Sequence, residues 1–284
     1  MVSLEGKVAL VTGAGSKRGM GHAIAVRLAR EKAHVVAVDR ELAPKSIWPG
    51  DENWGGLTEV LSEIRAAGTD GLSIVADISN RQDVDNTIAQ TLEKFGKIDI
   101  FVQCVGIRGP VSTPIMELDE KVWRQLLDVN LTGVFLISKA VAKTMIPDGE
   151  GKKMVFISSL AGSRGHAGSG GYCASKHGVI GLAKTLALEL AKYKINVNII
   201  SPGVFSGTNL RDESIAEAAK AEGLSVAEFL SKRAQGGGGP GMMIPLGRSG
   251  TMEDITNLVT FLVSDQSSYF TGEDFRICGG LGVS

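Results

Sequence analysis

Cysteine is scarce in this chain: three in 284 residues, Cys104, Cys173 and Cys278, with no C-x-x-C pair. An odd, widely spaced set excludes a disulfide framework and a structural zinc site, and points to a reducing compartment. The four histidines form no H-E-x-x-H, so no metal is expected. No 18-residue apolar stretch is present, and the apolar run after Lys7 is too short for a signal-peptide core. A charge excess is missing as well: 30 Lys+Arg stand against 31 Asp+Glu, which argues against nucleic acid or a membrane as partner. A soluble, cytoplasmic globular chain is the expectation.

Glycine, by contrast, is abundant. The chain holds 37, nearly twice the usual share of about 7%. Without a G-X-Y period, such a surplus serves turns, close packing or ligand loops. Length alone suggests about 1.9 domains, although α/β chains of this size often form one.

Short β-branched runs occur at Val8–Thr12, His34–Val38, Leu72–Ala76, Ile98–Val102, Met154–Ile157 and Ile195–Ile200. Between them lie segments of helical period, such as Val84, Ile88, Leu92 and Phe95, or Val179, Ala183, Leu186 and Leu190. Ile255, Leu258, Val259 and Leu262 repeat the pattern, and Phe275–Cys278 reads as a last edge strand. Wholly apolar strands alternating with helices predict an α/β fold: a doubly wound, Rossmann-like parallel sheet with helices on both faces, as a single domain over 1–284. Two segments break the rhythm. One is the Pro/Gly/Trp-rich insertion at 43–56. The other is 204–250, whose glycine run Gly236–Gly239 reads as the hinge of a substrate lid.

The first strand runs into Gly13, Gly15, Gly19, Met20 and Gly21 at the opening of a helix. Glycines let a backbone approach a pyrophosphate, and the helix N-terminus supplies free N–H donors. Asp39, at the end of the second strand, suits a ribose-binding carboxylate and repels a 2′-phosphate. Lys17, Arg18 and Arg40 pull the other way, being able to pair with that phosphate. NAD is therefore expected over NADP. Asp77 reads either as an adenine contact or as a helix cap before Asn80.

Tyr172 and Lys176 stand four apart and share a helix face. Ser159 precedes Tyr172 at the end of the fifth strand, and Asn130-Leu131-Thr132-Gly133 lies upstream. With I-S-S-L-A-G at 157–162 and N-V-N-I-I-S-P-G at 196–203, the whole chain resembles the short-chain dehydrogenase/reductase family. The resemblance implies that Tyr172 is the general acid/base and that Lys176 and an oxidised nicotinamide favour its phenolate. It further implies that Lys176 holds the nicotinamide ribose, Ser159 donates to the substrate oxygen, and Asn130 bends its helix and holds a proton-relay water. Ile78, Cys104, Gly106, Pro202, Gly203, Phe205 and Thr208 join the cofactor site on the same basis. The family commonly forms homotetramers through its C-terminal helices and last strand.

Three departures stand out. The glycine loop is two residues longer than the family's, which leaves the register of Gly15 open. Val105 replaces a smaller alanine. Thr208 falls one place late after Pro202-Gly203. By resemblance the substrate pocket is walled by 107–116, 160–171 and 204–245. Its polar candidates are Arg108, Arg164 and His166; its apolar ones are Phe205 and Met242–Met243. Each arginine reads either as an anion binder or as a solvated loop residue, and Cys173 as alkylatable or as small core. The implied activity interconverts a secondary alcohol and a ketone. The alternatives are a catalytically silent dinucleotide-binding regulator, or enoyl reduction, dehydration or epimerisation on the same scaffold.

Overall fold

The segment Val-Ala-Leu-Val-Thr is buried along its whole length, which a strand achieves only when both faces of its sheet are covered. It forms β1 (Val8–Thr12). Around it a computed structural model places β2 (His34–Asp39), β3 (Gly71–Val75), β4 (Ile100–Gln103), β5 (Lys153–Ile157), β6 (Asn196–Pro202) and β7 (Asp274–Ile277). The structure describes residues 3–44, 51–110, 112–205, 207–208, 215–220, 222–232 and 244–282. Trp48, the Gly236–Gly239 run and Met242–Met243 therefore lie outside the described residues.

All strand pairs are parallel, in the order β3-β2-β1-β4-β5-β6-β7. Alternate residues of one strand face opposite layers. Leu10, Phe101 and Phe156 pack with α3 (Arg81–Phe95), α5 (Val134–Met145) and α6 (Gly170–Leu190). Val11, Val102 and Val155 pack with α1 (Met20–Arg30), α2 (Leu57–Ala66) and the helix Met252–Leu262. The strand order reverses between β1 and β4, so the carboxyl ends of these strands open a crevice there. Strand positions agree with the hydrophobic pattern to within two residues. The largest shift is β4, which starts at Ile100 rather than Ile98. Asp99 instead serves as a junction, its carboxylate taking the Val8 N–H at 2.8 Å.

Three helix starts are closed by side chains. Asn80 caps α3, Asp119 caps α4 (Glu120–Leu127), and Thr251 with Asp254 forms a capping box. The α1 start has Gly19 as its N-cap and no side-chain cap. One sequence expectation needs correction. The helical run Glu120–Asp148 contains an 18-residue window of mean hydropathy 1.3, long and apolar enough by composition to cross a membrane. Half of that window is buried within the fold, and Val134, Ile137, Val141 and Met145 supply one core layer.

Asp99 joins three strands. It accepts Val8 N–H and Lys152 Nζ, both at 2.8 Å, with Lys97 Nζ at 3.0 Å. Burial pushes its carboxyl up, but these donors outweigh burial and hold it below the usual range. Asp99→Ala leaves the buried Lys152 ammonium and the Val8 N–H without their partner, and should cost about 3–5 kcal/mol in urea unfolding. A loss below about 1 kcal/mol would show the junction to be dispensable. Because the folded pKa is depressed, the contribution is complete above about pH 4, the unfolded value, and disappears as pH falls through the lower folded value.

Candidate active site

The carboxyl ends of β1, β2, β4, β5 and β6 line a cavity of about 820 Å³. At one end stand Asp39, Arg40 and Asp77; Gly13, Gly19, Met20 and Gly21 form the middle; Ser159, Tyr172 and Lys176 close the other end. Ile78, Cys104, Gly106, Pro202, Gly203, Phe205 and Thr208 also line it.

The middle is built for close backbone approach. Gly13 sits at φ 72°, and a Cβ on Gly21 would collide with the Gly13 carbonyl. Helix α1 therefore starts directly against the end of β1, with its first N–H groups facing the cavity. A bare 11-residue helix start with no acidic residue in its first turn suits a pyrophosphate. The described residues thus fit a dinucleotide on structural grounds.

Gly15 is placed differently from the expectation. It does not line the cavity; it tucks beneath Asp39, donating its N–H to Oδ2 at 2.8 Å. Arg40 N–H donates to Oδ1, also at 2.8 Å. Burial raises the Asp39 carboxyl, and these backbone donors pull it back. Each oxygen keeps acceptor capacity for a ribose hydroxyl.

Lys17 and Arg18 also differ from the expectation. Both pair with Asp51 of the insertion, at 3.0 and 2.8 Å, and the Asp51 side chain is only 2% exposed. Trp54 reinforces this clamp by donating Nε1–H to the Gly15 carbonyl at 2.7 Å and packing on His22. The insertion thus holds the lengthened glycine loop, with Trp54 on the glycine turn. Asp51 escaped the sequence reading, although two surplus cations in a loop and an acid in the next insertion were its signal. Arg40 pairs with Glu41 at 3.2 Å. Asp77 lines the cavity while its Oδ1 accepts from Ser79 N–H and Oγ–H; the cap of α3 is Asn80.

At the other end, Asn130 lies in a π-helical turn, Asp128–Gly133, between α4 and α5. This is the expected bend in the helix. Its amide exchanges two hydrogen bonds with Ile107, each 2.8 Å, and donates to Ser175 Oγ at 3.1 Å. Lys176 is 4% exposed and donates to the Ile157 carbonyl at 3.1 Å. It has no ion pair among the described residues, and burial pushes its ammonium down to about 8. A Cβ on Gly106 would stand 3.1 Å from Lys176 Nζ, so glycine leaves room for the ammonium.

Tyr172 lies one turn before Lys176 on α6, with Lys176 Nζ 5.9 Å from its ring centroid. Burial raises the Tyr172 phenol, against the pull of Ser159 and Arg108. The sequence reading assigned the lowering to Lys176 together with an oxidised nicotinamide; the protein by itself leaves the phenol raised. Ser159 Oγ accepts the Ala161 N–H at 3.1 Å, which leaves its own proton to donate elsewhere. Cys104 lines the cavity with its thiol pushed up to about 12 by burial, and Cys173 packs with Ala161 and Tyr172 as small core. Arg108 lines the cavity; Arg164 and the exposed His166 do not. Burial and then the charges of Arg164 and Arg108 lower the His166 imidazole.

The sequence pattern of the short chain dehydrogenase family matches residues 7–219. The chain is 35% identical over 282 residues to a 3-oxoacyl-[acyl-carrier-protein] reductase of Synechocystis sp., covering 99% of each. It is 33% identical over 281 residues to a sorbitol dehydrogenase of Cereibacter sphaeroides, again covering 99% of each. A carveol dehydrogenase from Mycobacterium avium, solved in complex with NAD, superposes with TM-score 0.85 at 28% identity, covering 100% of both chains. Matched from end to end in sequence and in shape, this chain belongs to the short-chain dehydrogenase/reductase family of oxidoreductases.

Proposed function

We propose that the protein interconverts a secondary alcohol and a ketone with NAD(H), using Tyr172 as the general acid/base. The observation that carries this reading is the convergence of Ser159, Tyr172 and Lys176 at one end of a cavity that a bare helix start fits for a dinucleotide. The bound nicotinamide supplies or accepts the hydride. In reduction, Tyr172 Oη gives its proton to the carbonyl oxygen while the carbon gains the hydride. In oxidation the same proton returns to the phenolate, and the carbinol C–H bond breaks with its electron pair. Ser159 Oγ–H donates to the reacting oxygen and steadies its developing charge. Lys176 holds the nicotinamide ribose and favours the phenolate through its ammonium. Asn130 keeps the Ile107 backbone and Ser175 in register with the Tyr172 turn.

Two features favour NAD over NADP. Asp39 meets the adenosine ribose with a carboxylate, and the Asp51 clamp engages Lys17 and Arg18, two cations otherwise suited to a 2′-phosphate. Chains assemble as a homotetramer, a reading supported by the edge position of β7 and the exposed Leu188 and Tyr269.

Tyr172→Phe should lower kcat by about 10²–10⁴-fold in an NADH-coupled assay with NADH affinity unchanged; full turnover would remove Tyr172 from the chemistry. With wild type, alcohol oxidation rises with pH and ketone reduction falls, because the first uses phenolate and the second phenol. Fluorescence titration should give tighter binding of NADH than of NADPH, and Asp51→Asn should narrow that preference by about 10-fold, the scale of one charge-assisted contact. Tighter NADPH binding by wild type would reverse the cofactor assignment. Light scattering should report four chains per particle; a monomer would overturn the assembly.

A further inference from the structure

Arg108 is an unusual side chain in this site. Its Nε is buried and has no hydrogen-bond partner, and its guanidinium carbon lies 5.9 Å from the Tyr172 ring centroid. It lines the same cavity as Ser159, Tyr172 and Lys176. Arginine stays charged at any working pH, so a partly desolvated guanidinium lacking an acceptor has a place waiting for one. No internal acid fills that place among the described residues. Asp39, Glu41 and Asp77 line the far end, and the exposed Glu217 on the cavity wall makes no ion pair with Arg108. A second arginine, Arg164, also has a buried Nε without a partner. Burial and the charges of both arginines lower the His166 imidazole, so it offers Arg108 no counter-charge.

From this arrangement we infer that the substrate carries an anionic group, a carboxylate or a phosphate, a few bonds from the reacting carbon, and that Arg108 binds it. The inference rests on the alcohol–ketone reading and names the substrate class within it. The planar guanidinium takes two oxygens side by side. The guanidinium carbon lies over the Tyr172 ring, 5.9 Å from its centroid, so an anion held by Arg108 sits beside the catalytic tyrosine, within the reach of a short hydroxy or oxo acid. Such a molecule can lay its anion on Arg108 while its carbonyl oxygen meets Tyr172 Oη and Ser159 Oγ. The reaction then balances as an oxo acid anion, NADH and one proton giving the hydroxy acid anion and NAD. Arg164 lies outside the lining and adds positive potential rather than contact.

The test pairs charged and neutral forms of the same carbon skeleton. NADH oxidation is followed with 2- and 3-oxobutanoate against their amides, and with 2-oxopropylphosphonate against its diethyl ester. In parallel, the NADH-bound enzyme is titrated by fluorescence with butanoate, butanamide and propylphosphonate. Wild type should favour the anion of a pair by about 10- to 100-fold in kcat/KM or in binding, the range of a charge-assisted hydrogen bond. The better of the carboxylate and phosphonate arms identifies which anion is meant. In Arg108→Gln the ratio should fall to within about 3-fold, and Arg108→Lys should recover part of it. A neutral partner bound or turned over as well as the anion, or a ratio unchanged by Arg108→Gln, overturns the inference and leaves the reductase reading standing. If no oxo compound turns over, the binding arm decides alone. Failure of NADH itself to bind would remove the reductase reading and this inference with it.

Discussion

A buried ammonium with no counter-ion among the described residues is the interaction around which this molecule is arranged. Lys176 is 4% exposed, and its charge is supported within the fold by the Ile157 carbonyl. Burial of an unpaired cation is costly, so the surroundings are shaped to make it tolerable and useful. Gly106 leaves room beside Nζ, and α6 is a continuous 21-residue helix that carries Tyr172 and Lys176 on one side. Asn130 and Ser175 bind the neighbouring backbone so that the face cannot rotate away. In the proposed reaction the partners that relieve the cation are a phenolate and a ribose hydroxyl. Tyr172 lies beside two cations, Lys176 and Arg108, yet its own burial outweighs the pull of Arg108 and keeps the phenol raised.

The dinucleotide end follows a different logic, in which backbone donors do what side chains do elsewhere. The glycine turn removes Cβ atoms where strand and helix meet, and α1 begins uncapped. Three other helices spend Asn80, Asp119 and Thr251 on their first turns. The insertion then adds what the longer loop demands, with Asp51 neutralising two adjacent cations and Trp54 pinning the turn they flank.

The sheet was largely legible because parallel strands buried on both faces run nearly continuously apolar, as β1 does before Thr12 and β5 does after Lys153. Spacing placed Tyr172 and Lys176 on one helix face, but Ser159, Tyr172 and Lys176 were legible as a site only through the family resemblance whose motifs they match. Asp51 was not, because its partners are more than thirty residues away in sequence, and only the surplus charge of the two cations pointed to an acid in the insertion. The offset of Gly15 behind Asp39 depended on how two surplus residues are absorbed, which only a closed loop decides. Arg108 was readable as a cation but not as an unpartnered one; that is a property of everything around it. The direction of the Tyr172 shift likewise comes from burial, which no motif encodes.

The strand order also bears on how the chain comes together at the ribosome. β1 is central, yet the residue that takes its first N–H, Asp99, lies 91 positions downstream of Val8. At about 5–20 residues per second, one side of β1 stays unpaired for roughly 5–20 s after it emerges. During that interval β2 and β3 have already joined its other side, leaving an apolar, open-edged half-sheet of the kind that pairs with neighbours. The Asp99 junction closes this side of β1, and the open edge passes outward to β4 until β5 arrives.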